Sequence, residues 1–188
     1  GAAGSIWDQQ NSVNWTNLAS QPDVFFPGDS VFFDDSAATT SVELAGTLSP
    51  ASVTVMTAQT YGFNGGTLAG SGSLVKNGAG ELHLASAMDL TGNVLVNGGT
   101  LHVANSAAWP AESPLVEVKA SATIDVSDVA GGAVIASGKT FAGSGTVAGD
   151  LTVNGIHDPG PGASVTGTLA YGPASHVSWS LASNSNTP

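Results

Sequence analysis

Two histidines carry the clearest spacing in this chain for chemistry. His83 and His102 lie nineteen residues apart, each between aliphatic neighbours (Leu82 and Leu84, Leu101 and Val103). On a repeat of that length their rings stack on one outer face, and two imidazoles a few ångströms apart can share a metal ion. No third ligand is evident, so the reading adopted is a pair of surface histidines. Asp23, Asp29, Asp34 and Asp35 crowd the first part of the chain. Calcium favours oxygen-rich loops, but this spacing fits neither an EF-hand nor the glycine-rich nonapeptide of calcium β-rolls. Turn residues and a solvated rim are expected there. No metal and no cofactor are expected.

Catalytic groupings are weak. A glycosidase needs two carboxylates across a cleft; Asp125 with Asp150, or Glu81 with a neighbour, are the candidates, but no long loop is available to build a cleft. A uronate lyase needs cationic groups, and the chain has no arginine and only Lys76, Lys119 and Lys139, far apart in sequence. No Gly-x-Ser-x-Gly accompanies a strand-to-helix turn. Gly70-Ser71-Gly72 and Gly143-Ser144-Gly145 are turn glycines without the helix that presents amides to a phosphate. The chain is therefore expected not to be an enzyme.

Aromatic residues are the alternative contact groups. Trp7, Trp15, Phe25, Phe26, Phe32 and Phe33 cluster near the start. A Trp pair there could stack on sugar rings, but a repeat fold must also cover its open end, and a cap is the favoured reading. Tyr61 and Trp109 stand singly. Trp109-Pro110 falls in a loop that leaves the repeat and is the better candidate for a protruding contact. The candidate ligand contacts are thus Trp109, Tyr61, Trp7 and Trp15.

The elements that position these groups are strands. Alternation of apolar and polar residues recurs at Ser52–Met56, Ser73–Val75, Glu81–Leu84, Asn93–Val96, Thr100–Val103, Val116–Val118, Thr123–Val126 and Asp150–Val153. Asn64-Gly65-Gly66, Asn77-Gly78, Asn97-Gly98-Gly99 and Asn154-Gly155 separate them as turns. A Gly-polar-Leu/Val unit repeats. Its glycines at 46 and 66, and at 72 and 92, are twenty apart; 80 and 99 are nineteen apart, and 149 and 167 eighteen. Short strands with Gly/Asn turns near a twenty-residue period indicate an all-β β-solenoid. Inward Leu82 and Leu84, Val94 and Val96, and Leu101 and Val103 should stack in columns, with Glu81, His83, Leu95, Thr100 and His102 outside. About nine coils, forming a rod on the order of 40 Å long, are expected.

Composition narrows the partners. The 188 residues carry a formal net charge of −11, with charged residues at 9%. Nucleic-acid binding, which draws on Lys and Arg, is effectively excluded. Cysteine is absent, so no disulfide or thiolate metal site exists. Residues 44–75 carry no charge, but Gly, Ser, Thr and Pro interrupt them, so no membrane insertion by this segment is expected. The expected organisation is an N-terminal cap and first coils at 1–45, β-helix repeats at 46–182 and a linker tail at 183–188. No leader is expected at Gly1–Ser5.

Gly70-Ser-Gly-Ser-Leu-Val-Lys-Asn-Gly-Ala-Gly-Glu-Leu-His-Leu84, followed by Leu90-Thr-Gly-Asn-Val-Leu-Val-Asn-Gly-Gly-Thr-Leu-His-Val103, resembles the autotransporter-associated β-strand repeat of bacterial passenger domains and large surface proteins. Lys76, Gly78, Gly80, Leu82 and Leu84 match its first half; Thr91, Gly92, Val96, Gly99, Thr100 and Leu101 match its second. Trp7…Asn14-Trp15…Gly28–Phe33 is similar to the segment that precedes a first repeat. Gly143–Val153, Pro159–Gly162, Gly167–Leu169 and Ser178–Leu181 are similar to a closing segment. The resemblance implies a right-handed parallel β-helix outside the cytoplasm, in a secreted or cell-surface protein. The expected role is a structural spacer and a surface for adhesion to a protein or glycan, or for self-association. The alternative is a carbohydrate-binding accessory module of an extracellular enzyme.

Overall fold

A computed structural model of the chain describes residues 5–178, so the expected linker tail at 183–188 and the part of the expected closing segment beyond Ser178 lie outside the described residues. The expected β-solenoid is present, and its strands stack in parallel around a triangular coil. Face one contains Ser41–Leu48, Thr60–Gly70, Glu81–Leu84, Gly99–Val103, Ala122–Asp125, Thr146–Ala148 and Ser164–Val165. Face two contains Ser30–Asp34, Ser52–Met56, Ser73–Asn77, Val94–Val96, Leu115–Val118, Thr140–Gly143, Ile156–Pro159 and His176–Val177. Face three is discontinuous: Ala87–Leu90 pairs with the end of Thr60–Gly70, and Ala133–Ile135, Leu151–Val153 and Leu169–Tyr171 form a separate ladder.

The alternation places inward columns, mostly apolar, behind the faces. On face two, Val31, Val53, Leu74, Val94, Val116, Phe141, His157 and Val177 are successive partners in register. On face one, Tyr61, Leu82, Leu101, Ile124, Val147 and Val165 align in the same way. Leu82, Leu84, Val94, Val96, Leu101 and Val103 are fully buried, each burial contributing about 1.5–3 kcal/mol. Glu81, His83, Leu95, Thr100 and His102 are partly exposed, as the alternation requires.

The structure has about seven turns rather than nine. The Val31–Val177 column shows the reason: it starts only after the N-terminal segment, and its seven steps average about twenty-one residues, close to the expected period, with twenty-two from 94 to 116 and twenty-five from 116 to 141. Excursions lengthen these coils. The stacking distance of about 4.8 Å then gives a rod of about 34 Å. The first excursion starts at Asn105, whose Oδ1 accepts from the amides of Ala107 and Ala108 at 2.9 and 3.0 Å and caps a short 3-10 turn, Ser106–Ala108. Competition of this side chain with the strand ladder is what an Asn at such a site does.

The motif residues serve the stack. Gly99 has φ +63°, and a Cβ there would collide with the carbonyl oxygen of Gly80 one coil behind. Gly78 has φ +76° and is crowded by the Thr57 backbone. Gly80 and Gly92 are likewise pressed against backbone of the preceding coil. Thr91 donates its amide and its Oγ1 to Gly70 O at 2.8 and 3.3 Å. Thr100 stands on the outer row of face one between Glu81 and Thr123.

Candidate functional site

The first coil is closed by the N-terminal segment. Ile6–Trp7 adds to face one beside Glu43 and Leu44, and Trp15–Thr16 pairs antiparallel with Pro22–Asp23 as a hairpin. The hairpin lays aromatic residues over the end of the core. Trp7 meets Trp15 and Phe25 edge-on at 5.4 and 5.3 Å between centroids, and Phe33 meets Phe63 at 4.9 Å. Edge-to-face contacts at such distances are favourable beyond their buried area. The alternating Val31 and Phe33 face inward, while Phe32 stays exposed.

This packing buries three of the four expected ligand contacts. Tyr61 is fully buried in the face-one column, and its hydroxyl donates to the Asp34 carbonyl. Trp109 does not protrude: it is 6% exposed, and its Nε1 donates to Val134 O at 3.0 Å. The excursion that carries it also donates Asn105 Nδ2 to Ala85 O at 3.0 Å. It therefore folds onto the rod and fills the gap in face three, because an exposed indole there would leave core and strand edge uncovered. Trp7 is buried in the cap. Of the four, Trp15 alone is partly exposed.

A cavity of about 290 Å³ lies at this end, bounded by Trp7, Trp15, Phe33, Tyr61 and Val42 on the apolar side. Asn14, Asp34, Ser36 and Thr39 supply polar groups. Hydrogen bonds from the Ser36 hydroxyl and amide hold the Asp34 carboxyl below its usual range. Burial, with the nearby Asp34 and Asp35 charges, raises the Tyr61 phenol.

Asp23 and Asp29 make local turn bonds, as expected of the acids here, whereas Asp35 reaches the next coil. Asp29 Oδ2 accepts from the Phe26 amide at 2.8 Å, and Asp23 Oδ1 from the Val24 amide at 2.8 Å. Asp35 accepts from Thr57 Oγ1 at 2.6 Å and from the Ala58 amide, which lowers its pKa.

On face one, His83 and His102 are partners in register, with rings 4.8 Å apart and nearly perpendicular. His102 Nε2 lies 3.0 Å from Asp128 Oδ2, and Nδ1 lies 3.9 Å from Glu81 Oε1. Each imidazole nitrogen of His102 therefore faces a carboxylate of the chain itself. No group of three His, Asp or Glu side chains among the described residues is arranged to hold a metal ion. Asp125 accepts from the Ser127 amide at 3.0 Å, a turn bond, and Asp150 accepts from the Thr168 amide one coil ahead at 2.7 Å.

The three lysines each have a partner within the chain. Lys119 pairs with Glu117, and Lys139 reaches Ala111 O and Glu112. Lys76 lies inside the rod, in the column of Phe33, Val55, Val96 and Val118. It is fully buried, and its Nζ donates to the carbonyls of Asn77, Gly78 and Gly98 at 2.8, 3.1 and 3.2 Å. Burial pushes its pKa down, opposed by the charge of Glu81. A second buried polar group is His157, whose Nδ1 lies 2.6 Å from Tyr171 Oη. Burial lowers its pKa, against the charge of Asp158. Position parity signals Lys76 in the sequence, two residues after inward Leu74; nothing local signals the Tyr171 partner of His157.

Comparison with protein-family models, with curated proteins and with solved structures returned no match.

Proposed function

We propose that this chain is a non-catalytic β-solenoid segment of a secreted or cell-surface bacterial protein, acting as a stiff spacer whose flat flank contacts other molecules, copies of itself first. One observation carries the reading. The outer row of face two is free of charge over three consecutive strands: Ser52, Thr54 and Met56; Ser73, Val75 and Asn77; then Leu95, with Asn97 after it. Phe32 and Met56 are 55% and 54% exposed at its edge, and Asn97 Nδ2 donates to Asn77 Oδ1 at 2.9 Å. In a chain of net charge −11, this is a flank on which two copies approach with weak repulsion. Flat sheets pack at about 10 Å when apolar rows such as Phe32, Val75 and Leu95 interdigitate. The likeness of residues 70–103 to the autotransporter-associated repeat, a scaffold of surface proteins, supports the same reading.

Sedimentation velocity over a concentration series tests it. Concentration-dependent association is expected, abolished by Val75→Glu with Leu95→Glu. Both side chains point outward, so the double variant keeps the fold. A wild-type chain that stays monomeric, or association untouched by the double variant, overturns the proposal.

A further inference from the structure

The N-terminal cap carries a cavity lined by both aromatic and polar side chains. The cavity of about 290 Å³ is walled on one side by Trp15 and Phe33, whose rings meet edge-on at 5.3 Å, and on the other by Asn14, Asp34, Ser36 and Thr39. Trp7 and Trp15 both line it, and neither indole Nε1 has a hydrogen-bond partner. Buried N–H groups without an acceptor are rare in folded proteins. Tyr61 in the same wall shows the usual arrangement, with its hydroxyl satisfied by Asp34 O.

The geometry points to a binding site for one neutral sugar ring. The volume lies at the small end of ligand pockets, suited to a monosaccharide or a chain terminus. A pyranose has an apolar C–H face for the half-buried Trp15 ring and a hydroxyl edge for the opposite wall. There, amide, hydroxyl and carboxylate groups can exchange donors and acceptors with hydroxyls that act as both. The Asp34 carboxylate disfavours an anionic sugar, and none of the three lysines lines the cavity. This site is at the end of the rod, and it stands or falls independently of association through face two.

The test is a titration of the whole chain with the methyl glycosides of glucose, galactose and mannose, read by saturation-transfer NMR and tryptophan fluorescence. Saturable binding of at least one glycoside is expected, with a dissociation constant on the order of 1 mM. Ala38→Phe places a ring into the cavity from an exposed lining position and should weaken binding more than about tenfold at unchanged melting temperature. Trp15→Phe shrinks the ring that lines the cavity and should weaken binding several-fold. Absence of binding by all three glycosides, binding of choline in their place, or unchanged binding by Ala38→Phe overturns the assignment.

Discussion

The ammonium of Lys76 lies 3.2 Å from the carbonyl oxygen of Gly98, in the corner one coil ahead. Its two other bonds run to Asn77 and Gly78 in its own corner. One side chain, enclosed by valines above and below, therefore ties two stacked turns together from inside the rod.

Lys76→Met tests which of two opposed effects is larger. Removing the charge relieves desolvation, yet it strips a donor from three carbonyls in an enclosed corner. Each unsatisfied acceptor costs about 1–3 kcal/mol, and removing one partner of a buried charged network is usually the larger loss. A net loss of about 2 kcal/mol is expected in urea unfolding. Equal or greater stability would show that the ammonium is a net cost.

The corner glycines separate backbone conformation from crowding. Gly138 has φ +79° with nothing near a Cβ, whereas Gly99 combines φ +63° with the Gly80 carbonyl. Gly138→Ala should cost about 1 kcal/mol and Gly99→Ala about 3 kcal/mol, compared by thermal unfolding. Equal losses would mean that neighbouring coils move apart freely.

His157 makes stability depend on pH. Its folded pKa is depressed below the ordinary 6.5, so the unfolded chain binds the proton more readily. The contribution is complete above pH 6.5 and falls as pH drops below it towards the folded value. Melting temperature should decline below pH 6.5, and His157→Leu should flatten that part of the profile. A profile unchanged by the variant contradicts the assignment.

Trp109 should matter for folding. Trp109→Phe loses the bond to Val134 O and should cost about 1 kcal/mol; Trp109→Ala opens a cavity and should cost about 3–5 kcal/mol. Denaturant midpoints at constant m decide this. A Trp109→Ala chain as stable as the parent would restore Trp109 as a surface contact.

Much of the architecture was legible before any coordinates. Leu82 and Leu101, nineteen residues apart, are partners in one column, and the same spacing brings His83 beside His102. Both follow from local rules: a period of two sends alternate residues inward, and glycine-rich corners at near-constant intervals keep successive coils in step. The cap was legible more coarsely. An aromatic cluster at the start of a repeat indicated a plug, but not its cavity or its unpartnered indoles.

The amino-acid order by itself determined the strand alternation, the inward columns, the lack of basic groups for nucleic acid and most turn positions, although Asn64-Gly65-Gly66, expected as a turn, runs inside the strand Thr60–Gly70. Tertiary structure alone decided the number of coils, the docking of Trp109 onto face three, the pairing of His157 with Tyr171 and the carbonyls that receive Lys76. The division has a physical cause. Alternation and turn chemistry act between residues a few positions apart, where the pattern can be read directly. A hydrogen bond from Trp109 to Val134, or from Lys76 to Gly98, joins residues more than twenty positions apart, and it forms only after the intervening coil has closed.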